Sequence, residues 1–419
     1  MAHADTTRTE AVSLDEVITT VIMARVTDFF GFFVYAIASA IVFPRLFFPN
    51  FDPVTGTLFS FGIFALAFLV RPFASVGGRW VQTKIGKTGK ITLALFILGS
   101  STVAIGLLPG FEKIGWAAPA LLAGLRILQG VGLGGAWDGI TLQLQNAAPA
   151  GRKGIYAMVP QLGGPIGFIV AASLFFVLTG FLTDDEFINY GWRFTFFAVM
   201  AVNVVSLFAR LRLLQTDFGA DDVTFKSAPF LSLVTGYWRP ILLSTMVPLA
   251  SYALFHMVTV FPLAYVLLYT EQDIAGIVLL QMIGAVIACG TVILSGVLAD
   301  RFHKRGVLWA SVALIPFLCL TLPLLDGNPG IYILLGFAIL GLAYGQASAI
   351  VPNRFPADFS YSGTALATNL SWIVGAAFAP LSALSLTVAF GIWAAAFYLM
   401  SGAIVTGVAL YLLGIEKRR

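Results

Sequence analysis

The sequence predicts an all-α membrane protein whose twelve transmembrane helices form two six-helix bundles. Of its 419 residues, 59% are hydrophobic and 11% are charged, which leaves too few polar groups to cover a soluble globule of this size. The apolar runs are continuous rather than alternating with a period of two, so they predict helices and not barrel strands. A spanning helix needs about 20 apolar residues. Twelve such runs are centred near residues 30, 68, 99, 128, 167, 202, 254, 286, 316, 341, 374 and 402.

The polar stretches between these runs divide the chain into two halves. Residues 1–16 are polar without the apolar core of a signal peptide, and they are expected to form a cytoplasmic tail. We predict the first bundle over 17–214, a cytoplasmic central loop over 215–237, the second bundle over 238–413 and a cytoplasmic tail over 414–419. A basic loop follows the second helix of each half, at 79–90 and at 300–305. This correspondence is typical of transporters built from two repeats, which bind substrate between them near the midplane.

The distribution of basic residues predicts the orientation. With the amino terminus in the cytoplasm, 18 of the 24 lysines and arginines fall in cytoplasmic segments and three, Arg45, Lys113 and Arg193, in external ones. The other three, Arg25, Arg71 and Arg126, lie near or within spans. Because cytoplasmic loops carry the excess of positive charge, both termini are expected inside. The location expected from this pattern is the cytoplasmic (inner) membrane of a bacterium. The same asymmetry explains the net charge of +4 without a nucleic-acid partner.

Several function classes are excluded by what the sequence lacks. It has no phosphate-binding glycine loop, no metal-ligand spacing and no nucleophile with a paired base, so we expect neither an enzyme nor an ATP-driven pump. Cys289 and Cys319 are the only two cysteines and both fall within apolar runs, which argues against a disulfide or a metal site. We expect a monomer without a cofactor that uses an ion gradient. A transporter-like nutrient receptor ranks last, because the central loop and the tail are too short for a cytoplasmic output segment.

Three ionisable residues, Arg25, Asp28 and Arg126, fall within apolar runs. A charge is costly there, so each is a candidate for function. Asp28 lies about 16 Å along the first helix and Arg126 about 15 Å along the fourth, at 1.5 Å per residue, so both are expected at one depth. Burial would favour the neutral form of the Asp28 carboxyl, whereas a nearby guanidinium would favour the ionised form. A change in their separation could therefore bind and release a proton. A static ion pair that holds the bundle together is the alternative.

Two sets of motifs resemble known transporters. The loop Gly296-Val-Leu-Ala-Asp300-Arg301-Phe-His-Lys304-Arg305 resembles the loop signature of the major facilitator superfamily. In the first half, four segments resemble the metabolite:proton symporter family, whose members take up organic acids and zwitterionic osmolytes with protons. These segments are Phe47 to Pro49, RPFASVGGRWVQTKIGKTGK from Arg71, RILQGVGLGGAW from Arg126 and YAMVPQLGGPIGF from Tyr156.

The chain also departs from that family. Thr83-Lys84 stands where the family's first loop usually has Asp-Arg, Ala136 replaces a glutamate, and Gly31 replaces the second acid of helix one. Asp138 follows Trp137 where a glycine is usual. A gate ion pair of Asp138 with Arg152 or Lys153 could compensate for the acid missing at Thr83. These differences suggest a divergent branch of the family.

The resemblance also implies roles for the buried charges. In sugar porters of the same superfamily, an acid at this place on helix one pairs with an arginine at this place on helix four and serves proton coupling. By that resemblance Asp28 carries the proton and Arg126 is its partner. Arg25 lies one helical turn before Asp28 and on the same face. The net charge of Arg25, Arg126 and Asp28 together is +1 when Asp28 is ionised and +2 when it is protonated, which suits an organic anion. Snorkelling of Arg25 toward the cytoplasmic face is the alternative.

The remaining candidates are polar or aromatic residues on helices and residues of the two loops. Besides Arg25 and Arg126, the expected substrate-binding residues are Gln161, Tyr252, His256, Gln346, Asn369 and Trp372, and the expected gate residues are Arg71, Lys84, Asp138, Arg152, Asp300 and Arg301. His256 and Tyr252 are expected toward the external mouth, where a histidine could tune proton access; a buried, satisfied histidine is the alternative. Interhelical hydrogen bonds are the alternative for the amides. Gly130, Gly132, Gly134 and Gly135 are expected to serve close helix packing.

The function expected from the sequence is therefore secondary active transport by alternating access between the bundles. The leading hypothesis is proton-coupled uptake of a small organic anion, most plausibly a carboxylate. Two alternatives are proton-coupled export of drugs or metabolites and proton symport of a zwitterionic osmolyte. The export alternative rests on the run Gly163-Gly164-Pro165-Ile166-Gly167, which faintly resembles the antiporter signature of drug exporters.

Overall fold

A computed structural model describes residues 14–136, 144–145, 147–214, 230–347, 349–351 and 354–416. Among these residues, twelve helices are long and apolar enough to cross a membrane, and we label them α1 to α12 in chain order. Their bounds are Leu14–Ile41, Pro53–Gly78, Trp80–Leu107, Ala117–Gly135, Lys153–Phe181, Asp184–Phe208, Ser232–Tyr269, Ile274–Phe302, Lys304–Asp326, Pro329–Ala347, Asp358–Phe390 and Ile392–Gly414. Each contains the centre of one apolar run, so the predicted twelve-helix architecture is confirmed.

An even number of crossings places the start of α1 and the end of α12 on the same side of the bilayer. We call this side the terminal face and the other side the opposite face. The N-terminal bundle comprises α1 to α6 and the C-terminal bundle comprises α7 to α12. The helical part of α6 continues to Leu214 and that of α12 to Glu416.

Glycines allow the helices of the N-terminal bundle to approach backbone to backbone. A Cβ on Gly130 would lie 2.5 Å from the carbonyl oxygen of Ala67, and one on Gly134 would lie 2.5 Å from that of Arg71, both on α2. Gly132 meets Ala94 on α3 in the same way, at 2.8 Å, and Gly135 meets the Cβ of Ala94 at 3.0 Å. The close-packing role predicted for these α4 glycines is therefore confirmed.

The glycines of α5 have a similar packing role. A Cβ on Gly163 would lie 2.4 Å from the Cβ of Arg25, and one on Gly167 would lie 2.7 Å from that of Phe29, both on α1. Gly163 and Gly167 thus let α5 pack against α1, whereas a Cβ on Gly164 would lie 3.0 Å from the ring of Tyr344 in the C-terminal bundle. This packing accounts for the glycines that faintly resemble an exporter signature.

The predicted boundary of the central loop is wrong at its C-terminal end. Residues 230–237 were expected in the loop, but the helix Phe230–Met246 includes them, with non-helical dihedrals only at Tyr237. Leu233 is buried in a cluster with Val351 and Phe355, and this apolar contact favours the helix. The residues Asp217, Asp221, Asp222 and Lys226, which mark the loop in the sequence, lie outside the described part of the chain.

Each of the two basic loops reverses the chain at one residue. Gly86 lies just inside the range given for α3, has φ 75° and marks the kink within the continuous helical segment Pro53–Leu107. His303 lies between α8 and α9 and has φ 67°. Such backbone angles suit glycine and are uncommon for other residues. Most of the segment 79–90 is otherwise helical, so the predicted loop is a turn centred on Gly86.

A proline lies within α7, and a glutamine from α8 hydrogen-bonds to carbonyl groups in the preceding turn. Pro262 lies inside the helix Leu249–Tyr269, where it has no N–H to donate to the carbonyl of Val258. The Gln281 amide donates to the carbonyl oxygens of Val258 at 2.9 Å and Thr259 at 2.6 Å. Gln281 therefore supplies a donor to the carbonyl group that Pro262 leaves without its helical N–H partner.

Candidate translocation site and gate

The two bundles contact each other on both sides of the midplane. α1 packs on α7, α2 on α11, and α5 on α8. Toward the opposite face, the Ser173 hydroxyl on α5 lies 4.0 Å from the sulfur of Met282 on α8. Toward the terminal face, the start of α5 is hydrogen-bonded to the end of α8. These contacts describe a closed arrangement of the two bundles.

A cluster of charged side chains comes from α1, α2, α4 and α6 of the N-terminal bundle, on the side where α1 and α2 pack on the C-terminal bundle. This charged cluster consists of Arg25, Asp28, Arg71, Arg126 and Arg210. Arg25 and Arg71 are within electrostatic range of Tyr252 and Tyr344, and Arg126 is within range of His256. The cluster therefore borders the interface between the bundles, where a transported molecule would pass.

The expected ion pair of Asp28 with Arg126 is not formed in this structure. Arg210 donates from Nη2 to Asp28 Oδ1 at 2.6 Å and to the carbonyl oxygen of Ala24 at 3.1 Å. Arg25 Nη1 lies 3.6 Å from Asp28 Oδ2. The two predicted partners do line one small cavity, so equal depth was a sound expectation, but the orientation of α1 turns the carboxylate toward α6.

Arg126 is instead fixed within the N-terminal bundle by a chain of hydrogen bonds. Its Nε donates to the carbonyl oxygen of Phe64 at 3.2 Å, and its Nη1 donates to Gln129 Oε1 at 2.9 Å. Gln129 donates in turn to the hydroxyl of Thr102 at 2.8 Å. The guanidinium carbon lies 3.9 Å from the centre of the Tyr35 ring. The buried Nη2 has no hydrogen-bond partner among the described residues and is available to an incoming acceptor.

Arg25 points toward the interface rather than toward the terminal face. Its guanidinium lies 5.0 Å from the centre of the Phe29 ring and near Asp28. About a quarter of the side chain is exposed, 26%. Of the two expectations for Arg25, the structure agrees with a place beside Asp28 and disagrees with full snorkelling.

Aromatic rings from both bundles fill the centre of the interface beside these charges. We call them the aromatic layer, and its members are Phe29, Phe32, Phe33, Phe64, Phe68, Tyr252, Phe255, His256, Tyr344 and Trp372. Tyr252 and Trp372, both expected at the site, stack with centroids 4.2 Å apart. Phe33 of α1 stacks on Phe255 of α7 at 5.3 Å, so rings of the two bundles meet directly.

His256 lies in this layer and not at the external mouth, which corrects the expectation from the sequence. Its imidazole centroid is 5.4 Å from that of Phe32 and 5.3 Å from that of Phe64. The residue is fully buried, and neither ring nitrogen has a hydrogen-bond partner among the described residues. The alternative of a buried histidine whose ring nitrogens are hydrogen-bonded to neighbouring residues therefore also disagrees with this closed arrangement.

Asp300 forms the main polar contact between the bundles at the terminal face. Its carboxylate accepts from the backbone N–H groups of Gly154 at 2.5 Å and Ile155 at 3.2 Å, at the start of α5. The first N–H groups of a helix lack partners within the helix, and its N-terminus favours negative charge. Gly296 allows this approach, because a Cβ there would lie 3.1 Å from the Cα of Ile155. The glycine and the aspartate of the loop motif thus act together.

Two predicted substrate ligands belong to this gate. The Gln346 amide donates to the carbonyl oxygen of Gly154 at 3.1 Å, and the Asn369 amide donates to the Ser75 hydroxyl at 3.3 Å. Both bonds join the bundles, so the alternative of an interhelical hydrogen bond is the better description in this state. Gln161 is buried in the turn Val159–Leu162, which contacts α1.

The other predicted gate residues are dispersed. Lys84, Arg152 and Arg301 are exposed, and Arg301 lies 5.2 Å from the ring centre of its neighbour Phe302. Arg71 lies deeper, in the charged cluster, because α2 continues for two turns beyond it. Asp138 lies outside the described residues.

Comparison with known proteins places this arrangement in a family. A profile of the Major Facilitator Superfamily matches residues 122–371. The chain belongs to the Major Facilitator Superfamily. It is 35% identical over 416 residues to the "Inner membrane metabolite transport protein YhjE" of Escherichia coli (strain K12), covering 96% of this chain and 94% of that relative. This superfamily member is therefore a multi-pass membrane transporter and not an enzyme.

Two further relatives and one solved structure are similar to most of the chain. The "Shikimate transporter" of Escherichia coli (strain K12) is 28% identical over 94% of this chain and 93% of its own. The "Proline/betaine transporter" of the same strain is 26% identical over 97% of this chain and 85% of its own. The crystal structure of a D-xylose-proton symporter superposes with a TM-score of 0.69 at 14% identity, over 94% of this chain and 97% of that one. The likeness to the symporter shows the shared fold.

Arg210 is the member of the charged cluster that sequence reasoning missed. It lies in the run Phe208-Ala-Arg-Leu-Arg-Leu-Leu, close to the end of an apolar segment, and was grouped with cytoplasmic basic residues. The structure buries it to 2% exposure. Apolar residues on both sides of Arg210 were the available signal, together with the need of a buried carboxylate for a partner.

The gate contact of Asp300 leads to a prediction about the conformational balance of the transporter. Removal of a helix-capping side chain costs about 1 kcal/mol. Asp300→Ala should therefore shift the balance toward opening at the terminal face by roughly fivefold. The measurement is the maleimide labelling rate of Ser75→Cys in a background with Cys289→Ser and Cys319→Ser. Asp300→Asn is the control, because it keeps a capping oxygen and should label more slowly than Asp300→Ala. Equal labelling rates in the Ser75→Cys background alone, with Asp300→Ala and with Asp300→Asn would contradict the role of Asp300.

Proposed function

We propose that this transporter takes up a small organic anion, a carboxylate, together with protons. The observation that carries the proposal is the charge of the cluster. Four guanidiniums face one carboxylate, a net charge of +3 among the described residues. Unpaired charge is costly away from water, and an anionic ligand at the interface would reduce that cost.

The contacts of Asp28 and Arg126 divide the cluster into an occupied and an available part. Asp28 already contacts Arg210 and Arg25, whereas Arg126 Nη2 has no partner among the described residues. A carboxylate could accept from that N–H group as a charge-assisted hydrogen bond. A ligand's ammonium group, by contrast, would meet an excess of positive charge. The cluster therefore favours an anion over a zwitterionic osmolyte.

The aromatic layer suggests the character of the rest of the substrate. When the bundles separate, rings such as Phe33 and Phe255 lose their partners across the interface. An apolar or flat body of a bound acid could replace those ring contacts. The rings could also hold an ammonium group by cation–π attraction, which is the specific observation in favour of a zwitterion, along with the similarity to a proline/betaine transporter.

Proton coupling follows from the same charges. Protonation of Asp28 raises the charge of the cluster from +3 to +4 and should strengthen the binding of an anion. Because linkage is reciprocal, a bound anion should strengthen the binding of the proton. We place both termini in the cytoplasm and the protein in the inner membrane of a bacterium, so an acidic exterior would drive uptake. Export against protons remains the alternative.

A ligand panel tests this proposal directly. Purified protein is heated with shikimate, succinate, benzoate, the uncharged amide of each, glycine betaine and xylose, at mildly acidic and at neutral pH. At least one acid should raise the melting temperature more than its amide does, and more strongly at acidic pH, because a ligand stabilises the state that binds it. An amide that stabilises as well as its acid would refute the anion hypothesis. Stabilisation by glycine betaine alone would favour the osmolyte.

A further inference from the structure

The contact between Arg210 and Asp28 lies entirely within the N-terminal bundle. Arg210 comes from the last two turns of the helix Trp192–Leu214, and its side chain is 3% exposed. Its bonds to Asp28 Oδ1 and to the Ala24 carbonyl tie α6 to α1 at two points. A buried arginine with a short charged contact and a backbone contact has little freedom to leave when the bundles rock.

Arg126 approaches the same carboxylate only across a small cavity. Asp28 and Arg126 both line it, together with Thr27, Gly31, Thr102, Gln129 and Asn203, and it has room for a single water molecule. The amide nitrogen of Asn203 and the Nη2 of Arg126 have no hydrogen-bond partner among the described residues. Arg126 and Asp28 are thus neighbours without contact in the closed arrangement.

We propose that the two arginines have separate tasks: Arg210 is the resident counter-charge that sets when Asp28 binds its proton, and Arg126 is left for the substrate. The inference rests on the proposed role of Asp28 as the proton carrier. Arg210 is a positioning residue in this scheme, because it acts through Asp28. The proton site then lies between α1 and α6, and the anion site lies on the α4 side of the cavity.

The charged groups around Asp28 support this assignment by their distances. On its own helix, Arg25 lies 3.6 Å away and is partly exposed, so its attraction is screened more than that of Arg210 at 2.6 Å. From α2, Arg71 is within electrostatic range, and from α4, Arg126 faces Asp28 across the cavity. The nearest and most buried guanidinium should dominate the energy of the ionised carboxylate.

The test is an infrared pH titration of the purified transporter without substrate. The carboxyl band lost in Asp28→Asn identifies the protonated form of Asp28. In Arg210→Gln this band should persist to higher pH than in the unmodified protein, because the ionised form loses its closest opposite charge. Arg126→Gln should shift it by less. Arg210→Lys keeps the charge and should restore most of the original midpoint.

The outcomes separate this inference from the proposed function. If Arg126→Gln moves the band as far as Arg210→Gln does, or if Arg210→Gln leaves it unmoved, Arg210 is not the counter-charge. Should Arg210→Gln fail to fold, Arg210→Met removes the same charge with an apolar side chain of similar length: a larger shift in Arg210→Met than in Arg126→Gln supports the assignment, and an equal or smaller one overturns it. No substrate is present, so the result does not depend on the anion hypothesis, which the ligand panel tests by itself.

Discussion

Asp28→Asn is expected to abolish accumulation driven by a pH gradient while leaving exchange of substrate across the membrane intact. Asparagine resembles the protonated carboxyl, so the bundles can still rock around a bound anion, but no proton is bound or released in the cycle. The measurement uses proteoliposomes and whichever acid of the panel stabilises the protein. Uptake should reach only equilibration under an inward proton gradient, whereas counterflow should stay within a few-fold of the unmodified transporter.

The stability of this variant requires its own control. Arg210 would keep a buried charge without Asp28, and breaking a buried ion pair by removing one partner costs about 3–5 kcal/mol. The double variant Asp28→Asn with Arg210→Gln removes both charges and should recover part of that loss. Asp358→Asn, an exposed carboxylate at the start of α11, is a matched replacement that should leave accumulation unchanged. Normal accumulation by Asp28→Asn would remove Asp28 from the coupling mechanism.

What the sequence predicted well depends on local or periodic features. The twelve spans follow from continuous apolar runs, and the close packing of α4 follows from Gly130, Gly132, Gly134 and Gly135. The relation of Arg25 to Asp28 was also readable, because residues three apart share a helix face. Each of these inferences needs only the helical repeat or the thickness of a membrane.

The contacts that sequence reasoning missed depend on how helices rotate about their axes. Asp28 and Arg210 are 182 positions apart, and Asn369 and Ser75 are 294 apart. Depth along a helix could be counted, so Arg126 was placed beside the right cavity. The angle at which α1 presents its carboxylate, however, is set by packing such as that of Gly163 against the backbone of α1. No periodicity in a single sequence encodes that angle.

His256 and Gln346 illustrate the same limit for uncharged polar residues. A histidine between apolar neighbours is compatible with a place at the mouth or in the centre, and only the rings of Phe32 and Phe64 from the other bundle decide for the centre. Gln346 points to the gate because Gly154 allows α5 to approach α8 closely. Both placements are properties of the interface between the bundles, which forms only when two distant halves of the chain meet.

Arg126→Lys is expected to weaken substrate binding by roughly tenfold to a hundredfold. A hydrogen bond to a charged group contributes about 1.5 to 3 kcal/mol, which corresponds to that range of affinity. The guanidinium can hold Phe64 O and Gln129 with two of its nitrogens and still offer Nη2 to a carboxylate. A lysine ammonium keeps the charge but lacks this planar fork, so it must give up either its anchors or the ligand. The dissociation constant of a panel acid measures the effect.

The matched control is Arg193→Lys, because Arg193 is also anchored to backbone and stacked on a ring. Its Nη1 donates to the carbonyl oxygens of Gly106 and Leu108, and its guanidinium lies 4.8 Å from the centre of the Trp192 ring, outside the charged cluster. Arg193→Lys should therefore lower thermal stability while leaving affinity for the acid unchanged. If Arg126→Lys retained full affinity, charge alone would account for recognition and no geometric fork would be needed. If both lysine variants lost affinity alike, the effect would be a general loss of packing, and Arg126 would have no particular claim to the substrate.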